Sequence, residues 1–292
     1  MVGDWGYERM AAQKAVADAM QRYVQTNGIK TDALLMLGDN WYGDMTGGMD
    51  SPRWQTQFEQ MYPQSAFDCK AYAVLGNHDY QRMPESKVDM QLAYAKRGGT
   101  RWTMPARWYS FQLPAKNPLA TVIALDSNVQ WKGRIHSDNV NFQMSLEDQA
   151  EQLRWLEAEL SKPRTTPYLF VIAHHPIYSN GPHGDHAVLI EEWAPLLEKH
   201  KVHLYFAGHD HDMQHLEFEE HPTSFVLSGG GGADLYDLKI DASKRGPSAR
   251  KVHGFTHMEL TPSHVTLKHL DEEGQIIHAF TKTPSGEIKI LG

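Results

Sequence analysis

The residues best equipped for chemistry fall into five short clusters, each set directly behind an apolar run. They are Asp4 in GDWG (3–6), Asp39 and Tyr42 in GDNWY (38–42), Asn77, His78 and Asp79 in GNHD (76–79), His174 and His175 in AHHP (173–176), and His209 and His211 in GHDH (208–211). Every potential metal donor in the set is oxygen or nitrogen. Carboxylate, imidazole, amide and phenolate ligands suit Fe, Mn or Zn better than copper(I) or an iron–sulfur cluster. A carboxylate can bridge two ions, which gives Asp39 a central role in a two-metal hydrolytic centre. One aspartate behind a strand is ordinarily a turn or cap residue. Five polar clusters behind five apolar runs point instead to one shared site. His209 and His211, at i and i+2 where a strand gives way to a loop, can both enter one cavity if the backbone turns there.

Around these ligand candidates stand further titratable groups. If Asn77 coordinates through its side-chain oxygen, His78 is directed differently and can contact substrate, binding a phosphoryl oxygen or protonating a departing alkoxide. Asp79 either orients that imidazolium or makes a loop hydrogen bond. His183, in NGPHG (180–184), is a second candidate for phosphate contact. Only one of the adjacent His174 and His175 side chains is expected to face the site, and His186 to begin a helix.

The elements that must hold these clusters follow from periodicity. Helices are expected over 7–26, 86–97, 143–160 and 186–200, and apolar strands over 33–37, 71–75, 121–125, 168–173 and 202–207. Residues 41–63 show little periodicity, 98–111 read as loop or cleft lining, and 241–250 as an exposed excursion. From residue 224 the pattern changes to short β segments over 225–227, 252–260, 264–269 and 276–280. This order predicts one layered α/β domain over 1–292, its second sheet completed by antiparallel C-terminal strands and its ligands at the carboxyl ends of strands.

Bulk properties narrow the function classes. The 292 residues suffice for a large core, and the formal charge of −8 argues against a nucleic-acid polymer or an anionic membrane as partner. Cys69 is the one cysteine, so neither an intrachain disulfide nor a cysteine-rich zinc site can form. No run is long and apolar enough for a membrane span. Val2 to Gly6 read as the end of a strand with almost no strand before it, and the expectation is a chain whose secretion signal and first strand residues are missing.

Taken together, GDWG, GDNWY, GNHD, AHHP and AGHDH resemble the calcineurin-like metallophosphoesterases and, more narrowly, the purple acid phosphatases of the small tartrate-resistant type. The likeness covers roughly residues 2–232, including RWTMPARWY (101–109), LDSN (125–128) and VLSGGGG (226–232), and weakens in the C-terminal strands. Gly6 stands where the broader superfamily has a histidine two residues after the first aspartate, and Tyr42 supplies the phenolate that distinguishes the purple enzymes. Ala173-His174-His175 departs from the usual Gly-His-Tyr or Gly-His-His. The resemblance implies a four-layer α/β/β/α sandwich with two mixed β-sheets flanked by helices. It implies Fe(III) at Asp4, Asp39, Tyr42 and His211, and a divalent Fe, Zn or Mn at Asp39, Asn77, His174 and His209. Asn77, His78 and His183 would contact a small phosphate monoester hydrolysed by a metal-activated hydroxide, with the two histidines assisting the leaving group. The full-length form would be secreted or periplasmic. The alternatives are a phosphodiesterase or nucleotidase on the same metal centre, with Trp41, Tyr42, Trp102 and Tyr178 as possible cleft walls, and a non-catalytic metal-binding protein that keeps the fold.

Overall fold

Strand β6 (Tyr168–Ile172) shows how the molecule is layered, because all five of its residues are buried. Tyr168, Phe170 and Ile172 enter one hydrophobic core, while Leu169 and Val171 enter another. The same split separates Leu204 and Phe206 from Tyr205 and Ala207 in β7 (Leu204–Ala207). Since alternate side chains on a strand point to opposite faces, a wholly apolar strand belongs to a sheet covered on both sides. The computed structural model describes residues 1–82, 85–130, 143–219 and 221–291.

In chain order the remaining elements are α1 (Ala11–Thr26), β1 (Ala33–Met36), β2 (Lys70–Ala73), α2 (Lys87–Lys96), β3 (Trp102–Thr103), β4 (Tyr109–Leu113), β5 (Ala120–Ala124) and α3 (Leu146–Leu160). After β6 come α4 (Ala187–Glu192), α5 (Ala194–Lys199), β7, β8 (Met213–Leu216), β9 (Ser224–Ser228), β10 (Ser248–Arg250), β11 (Gly254–Leu260), β12 (Val265–Asp271), β13 (Ile276–Lys282) and β14 (Ile288–Ile290). The large sheet runs β10-β8-β9-β7-β6-β5-β4, with β5, β6, β7 and β9 parallel and β4 and β8 antiparallel to their neighbours. Helices α3, α4 and α5 cover one face through Leu156, Leu189, Trp193 and Leu197. The other face meets a layer made of β1-β2-β3 and the antiparallel meander β11-β12-β13-β14. In that layer α1 contributes Val16, Met20 and Val24 to the core, and Tyr23 lies against Phe255 and His257. The result is an α/β fold of mixed sheets flanked by helices.

The first residues stitch that layer together. Met1 exchanges two backbone hydrogen bonds with Thr256 of β11, while Val2 bonds to Leu35 O and accepts from Leu37 N beside β1. Gly3 N then donates to Ser228 O, and Asp4 is held through its backbone N and O by Gly38 O and Ala233 N. Short as it is, this extended segment fixes Asp4 firmly.

Several local expectations change. The helix expected over 186–200 is two helices meeting at Trp193, because Pro195 in the first turn of α5 has no N–H to continue the α4 ladder. Residues 41–63 hold a 3-10 turn (Gly48–Asp50) and a π-helical segment (Trp54–Glu59), both too short to leave a periodic signal. Residues 98–111 contain β3 and the start of β4, 241–250 ends in β10, and β8 and β14 had no sequence-derived counterpart. Helix α3 starts at Leu146, after its N-cap Ser145, whose hydroxyl accepts from Asp148 N at 3.1 Å.

Candidate metal centre

All five clusters lie at carboxyl ends of strands or in the loops that follow, and the two layers bring them together. Asp4, Asp39 and His211 offer ligand atoms that all lie within 4.8 Å of one another, a set able to hold a metal ion. The Tyr42 hydroxyl joins them, 3.2 Å from Asp4 Oδ1 and 3.1 Å from His211 Nε2. On the other side of Asp39, His174 Nε2 lies 3.4 Å from Asp39 Oδ2 and 3.1 Å from Asn77 Oδ1. The His209 ring centroid is 5.1 Å from that of His174.

Ring orientation is fixed from behind. His174 Nδ1 is 2.9 Å from Leu37 O and His211 Nδ1 2.6 Å from Asp234 O. A carbonyl only accepts, so both Nδ1 atoms carry protons and both Nε2 atoms are left facing the carboxylates. Asp4, Asp39 and His209 have φ of 59°, 49° and 69°. Each is in the left-handed region, where a non-glycine residue stores strain on the order of 1–3 kcal/mol. The strain is accepted because the turn aims each side chain at the common point. Gly76 serves the same packing: a Cβ there would lie 2.2 Å from Asp39 Oδ1.

Two buried carboxylates dominate the electrostatics. Burial alone would raise Asp39, but the His174 and His78 rings outweigh it and hold it below the carboxylate range. Burial opposes protonation of His174, yet Asp39 and Asp4 raise it to about 9, and His211 is raised against burial by Asp4. Tyr42 is pushed well up by burial, with Asp39 and Asp4 adding to the effect. His209 is pushed well down by burial and by His175 and His183, which keeps it in the neutral form a metal takes. Converging carboxylates, inward-facing imidazole nitrogens and a phenol fit a cation, and a bound cation would reverse the penalty on the Tyr42 phenolate.

A cleft of about 310 Å³ opens over this point, lined in part by Asp39, Asn77, His78, His183, His209 and His211. His78 stands on one side, its ring 4.2 Å from that of Tyr42 and its N–H donating to Asp39 Oδ1 at 2.8 Å. His183 stands on another, its ring 4.1 Å from that of His209.

Some residues behave differently from expectation. Asp79 is fully buried and accepts from the backbone N–H groups of Asn40, Trp41 and Gly76 and from Gln91 Nε2. Of the two roles expected for it, the loop hydrogen bond is the one these contacts describe: it clamps the GDNWY loop to the GNHD loop. Burial and the Asp39 charge push its carboxyl up to about 7, against the pull of those N–H donors. His175 lines the cleft, whereas His174 is fully buried with Nε2 turned to Asp39 and Asn77. His186 caps α4 through Nδ1, which accepts from Leu189 N, and also lines the cleft. Trp41 and Trp102 are core residues, packed in a cluster with Trp5, Trp54 and Phe58, and Tyr178 packs on Phe218 and Phe225; none of the three is a cleft wall.

Four contributors had no assigned role. Asp210, fully buried inside GHDH, accepts from the Ser179 hydroxyl and lies 2.6 Å from His183 Nδ1. Its place between two ligand candidates was the available signal. Ser127 and Asn128 sit in the LDSN stretch and line the cleft. Tyr236 stacks on His211 with centroids 4.1 Å apart, and its position downstream of the glycine run carries no sequence signal.

Comparison with known proteins extends the geometry. A family model for calcineurin-like phosphoesterases matches residues 1–213. Tartrate-resistant acid phosphatase type 5 of Mus musculus is 30% identical, the alignment covering 94% of this chain and 86% of the mouse protein. Two solved structures share the fold. GAP50, described as the anchor in the inner membrane complex of Plasmodium, has a TM-score of 0.76 at 23% identity, covering 95% of this chain and 85% of its own. Purple acid phosphatase PPD1 of yellow lupin (Lupinus luteus) has a TM-score of 0.72 at 18% identity, covering 97% of this chain and 52% of its own.

Proposed function

The chain belongs to the calcineurin-like phosphoesterases, in their purple acid phosphatase branch, and is a metal-dependent hydrolase; from that premise we propose that it cleaves phosphate monoesters at a two-ion centre. The observation that carries the reading is the position of Asp39, which reaches the Asp4–Tyr42–His211 group on one side and, on the other, His174, itself 3.1 Å from Asn77 Oδ1. On this reading Asp4, Asp39, Tyr42 and His211 hold a ferric ion, while Asp39, Asn77, His174 and His209 hold a divalent one. Such ions supply charge neutralisation for phosphoryl oxygens and lower the pKa of water.

The remaining work belongs to the chain's own side chains. Asn77 and His78 face the cleft beside Asp39, where an amide and an imidazole N–H can bind phosphoryl oxygens. His183 gives its Nδ1 proton to the Asp210 hydrogen bond, leaving Nε2 to donate a proton to the leaving oxygen. The carboxylate stabilises the imidazolium needed for that transfer. No helix among the described residues is long and apolar enough to cross a membrane, and a small phosphate ester suits a cleft of this volume.

The test is elemental analysis of purified protein with a visible spectrum, run beside rates on 4-nitrophenyl phosphate and bis(4-nitrophenyl) phosphate. Two ions per chain, a broad visible band in the iron-loaded oxidised protein and preference for the monoester are expected. One ion per chain at full activity, or preference for the diester, would overturn it.

A further inference from the structure

The loop that carries Tyr42 is gripped from two sides by cations that the hydrolytic step does not use. Lys87, the first residue of α2 and 1% exposed, donates through Nζ to Trp41 O at 2.7 Å and to Gly43 O at 3.1 Å. Arg53, which precedes the π-helical segment, donates through Nη1 to Tyr42 O and to Asp44 O, both at 2.7 Å. Its Nη2 donates to Gly6 O at 2.8 Å and its Nε to Gln57 Oε1 at 2.5 Å. Four successive carbonyls, 41 to 44, are thus taken alternately by the lysine and the arginine. Among the described residues neither cation is in an ion pair; backbone carbonyls and one side-chain amide take their N–H groups.

Burying an ammonium group is costly unless acceptors meet it, and here the acceptors belong to one loop. Hydrogen bonds from a charged donor are stronger than neutral ones, so these contacts fix the backbone more firmly than ordinary turn bonds do. Both peptide planes at Tyr42 are fixed in this way. Trp41 O is held by Lys87 and Tyr42 O by Arg53, while Tyr42 N donates at 3.0 Å to Gly6 O, which Arg53 holds as well. With both planes fixed, the direction in which the side chain leaves the backbone is fixed too, and the phenol oxygen arrives beside Asp4 Oδ1 and His211 Nε2. Through Gly6 the same guanidinium ties the GDWG turn, which carries Asp4, to the GDNWY loop, which carries Asp39 and Tyr42. Asn77, His174 and His209 stand on other loops.

Resting on the two-ion reading above, we propose that Lys87 and Arg53 are positioning residues for the ion at Tyr42, holding the phenol oxygen against the site formed by Asp4, Asp39 and His211. Neither lines the cleft, and both act through the backbone. The sign of their effect separates this role from a purely electrostatic one. A cation repels a metal ion, so through charge alone its removal would tighten the iron. Positioning gives the opposite result.

The experiment loads wild type, Lys87→Met, Lys87→Gln and Arg53→Met with iron and zinc. It measures ions per chain, the rate of iron loss to a chelator, and the visible absorbance per bound iron. Folded Lys87→Met and Arg53→Met should lose iron about ten-fold to a hundred-fold faster than wild type, the size typical when a group that orients a metal ligand from behind is removed. Zinc should be retained better than iron, and absorbance per bound iron should fall, because the iron that stays is less often bound by the phenolate. Lys87→Gln keeps two N–H donors without the charge and should preserve part of the hold; it carries the test if circular dichroism shows Lys87→Met unfolded. Unchanged or slower iron loss from the folded variants overturns the positioning role and leaves the two-ion reading intact. Equal loss of iron and zinc at unchanged absorbance per iron does the same, since general loosening of the fold gives that result. A wild type that binds one ion per chain, or shows no visible band when loaded with iron, overturns the two-ion reading and the positioning role with it.

Discussion

Asp210→Asn isolates the contact between a buried carboxylate and the proposed general acid. Asp210 Oδ1 takes His183 Nδ1 at 2.6 Å and His183 N at 3.3 Å, while Oδ2 takes the Ser179 hydroxyl. Asparagine keeps the shape and one acceptor oxygen but removes the charge, so the loop has the means to stay in place. A hydrogen bond to a charged group is worth about 1.5–3 kcal/mol, and losing it from the imidazolium should slow proton donation by about ten-fold to a hundred-and-fifty-fold. The loss must depend on the substrate. An alkoxide leaves poorly without a proton, whereas 4-nitrophenolate leaves readily without one. The assay is kcat/KM for propyl phosphate and 4-nitrophenyl phosphate in wild type and variant, with metal content measured on the same preparations because Asp210 lies between His209 and His211. The expected result is a loss of that size on the alkyl ester and a much smaller one on the aryl ester at unchanged metal content. Equal loss on both would show that Asp210 only holds the loop, and the assignment of His183 as proton donor would fall with it.

Other parts of the molecule give equally direct tests. Asp79→Ala leaves three buried backbone N–H groups without their acceptor and should cost at least about 3 kcal/mol, read as the midpoint shift in urea unfolding. Gly76→Ala places a Cβ 2.2 Å from Asp39 Oδ1 and should lower metal occupancy, measured by elemental analysis. Tyr42→Phe should abolish the visible band of iron-loaded protein while leaving the fold intact by circular dichroism. Acid should weaken the fold through the buried histidines between β8 and the meander. His215 Nδ1 lies 2.9 Å from His278 Nε2, and His269 lies beside them, with Glu217, Lys282, Arg250 and Thr256 around the group. Burial lowers all three, His278 to about 4 and His269 to about 3. A histidine with a depressed folded-state pKa stabilises the fold above its unfolded value near 6.5 and loses that contribution as pH falls through the folded value. For His278 alone this amounts to roughly 2 kcal/mol between pH 7 and 5 and roughly 3 kcal/mol by pH 4. Urea unfolding at those pH values should show the decline, and His278→Leu should flatten it.

The positions of the ligand candidates were legible because a strand end leaves a trace: an apolar run stops, and a glycine and a polar residue follow. That trace locates Asp4, Asp39, Asn77, His174 and His209 along the chain. It also gives the parallel strands of the large sheet, whose side chains are apolar on both faces. What joins distant segments leaves no such trace. Asp79 looks like a partner for the histidine beside it, yet its acceptors are used by Asn40 and Trp41 across a gap of 39 and 38 residues. Of the adjacent His174 and His175 only one was expected at the site, and the two divide the work: His174 turns to Asp39 and Asn77 while His175 lines the cleft. The backbone has already left the strand at Ala173, and Ser127 from the loop after β5 turns the second ring into the cleft. Trp41 and Trp102 looked like cleft walls because large aromatics near ligand motifs often are; here they fill the core under the same loops. That packing has a mechanical consequence. The strained φ at Asp4, Asp39 and His209 persists only if the surroundings leave no easier conformation. The Trp5–Trp41–Trp54–Trp102 cluster and the Asp79 clamp hold the Asp4 and Asp39 loops in those turns. Substitutions in that cluster, which touches no ligand atom, should therefore lower metal affinity before they unfold the protein: Trp41→Leu is expected to release metal to a chelator faster than wild type at a temperature where both remain folded by circular dichroism. Equal release rates from two folded proteins would show that the ligand loops hold their strain without the aromatic cluster.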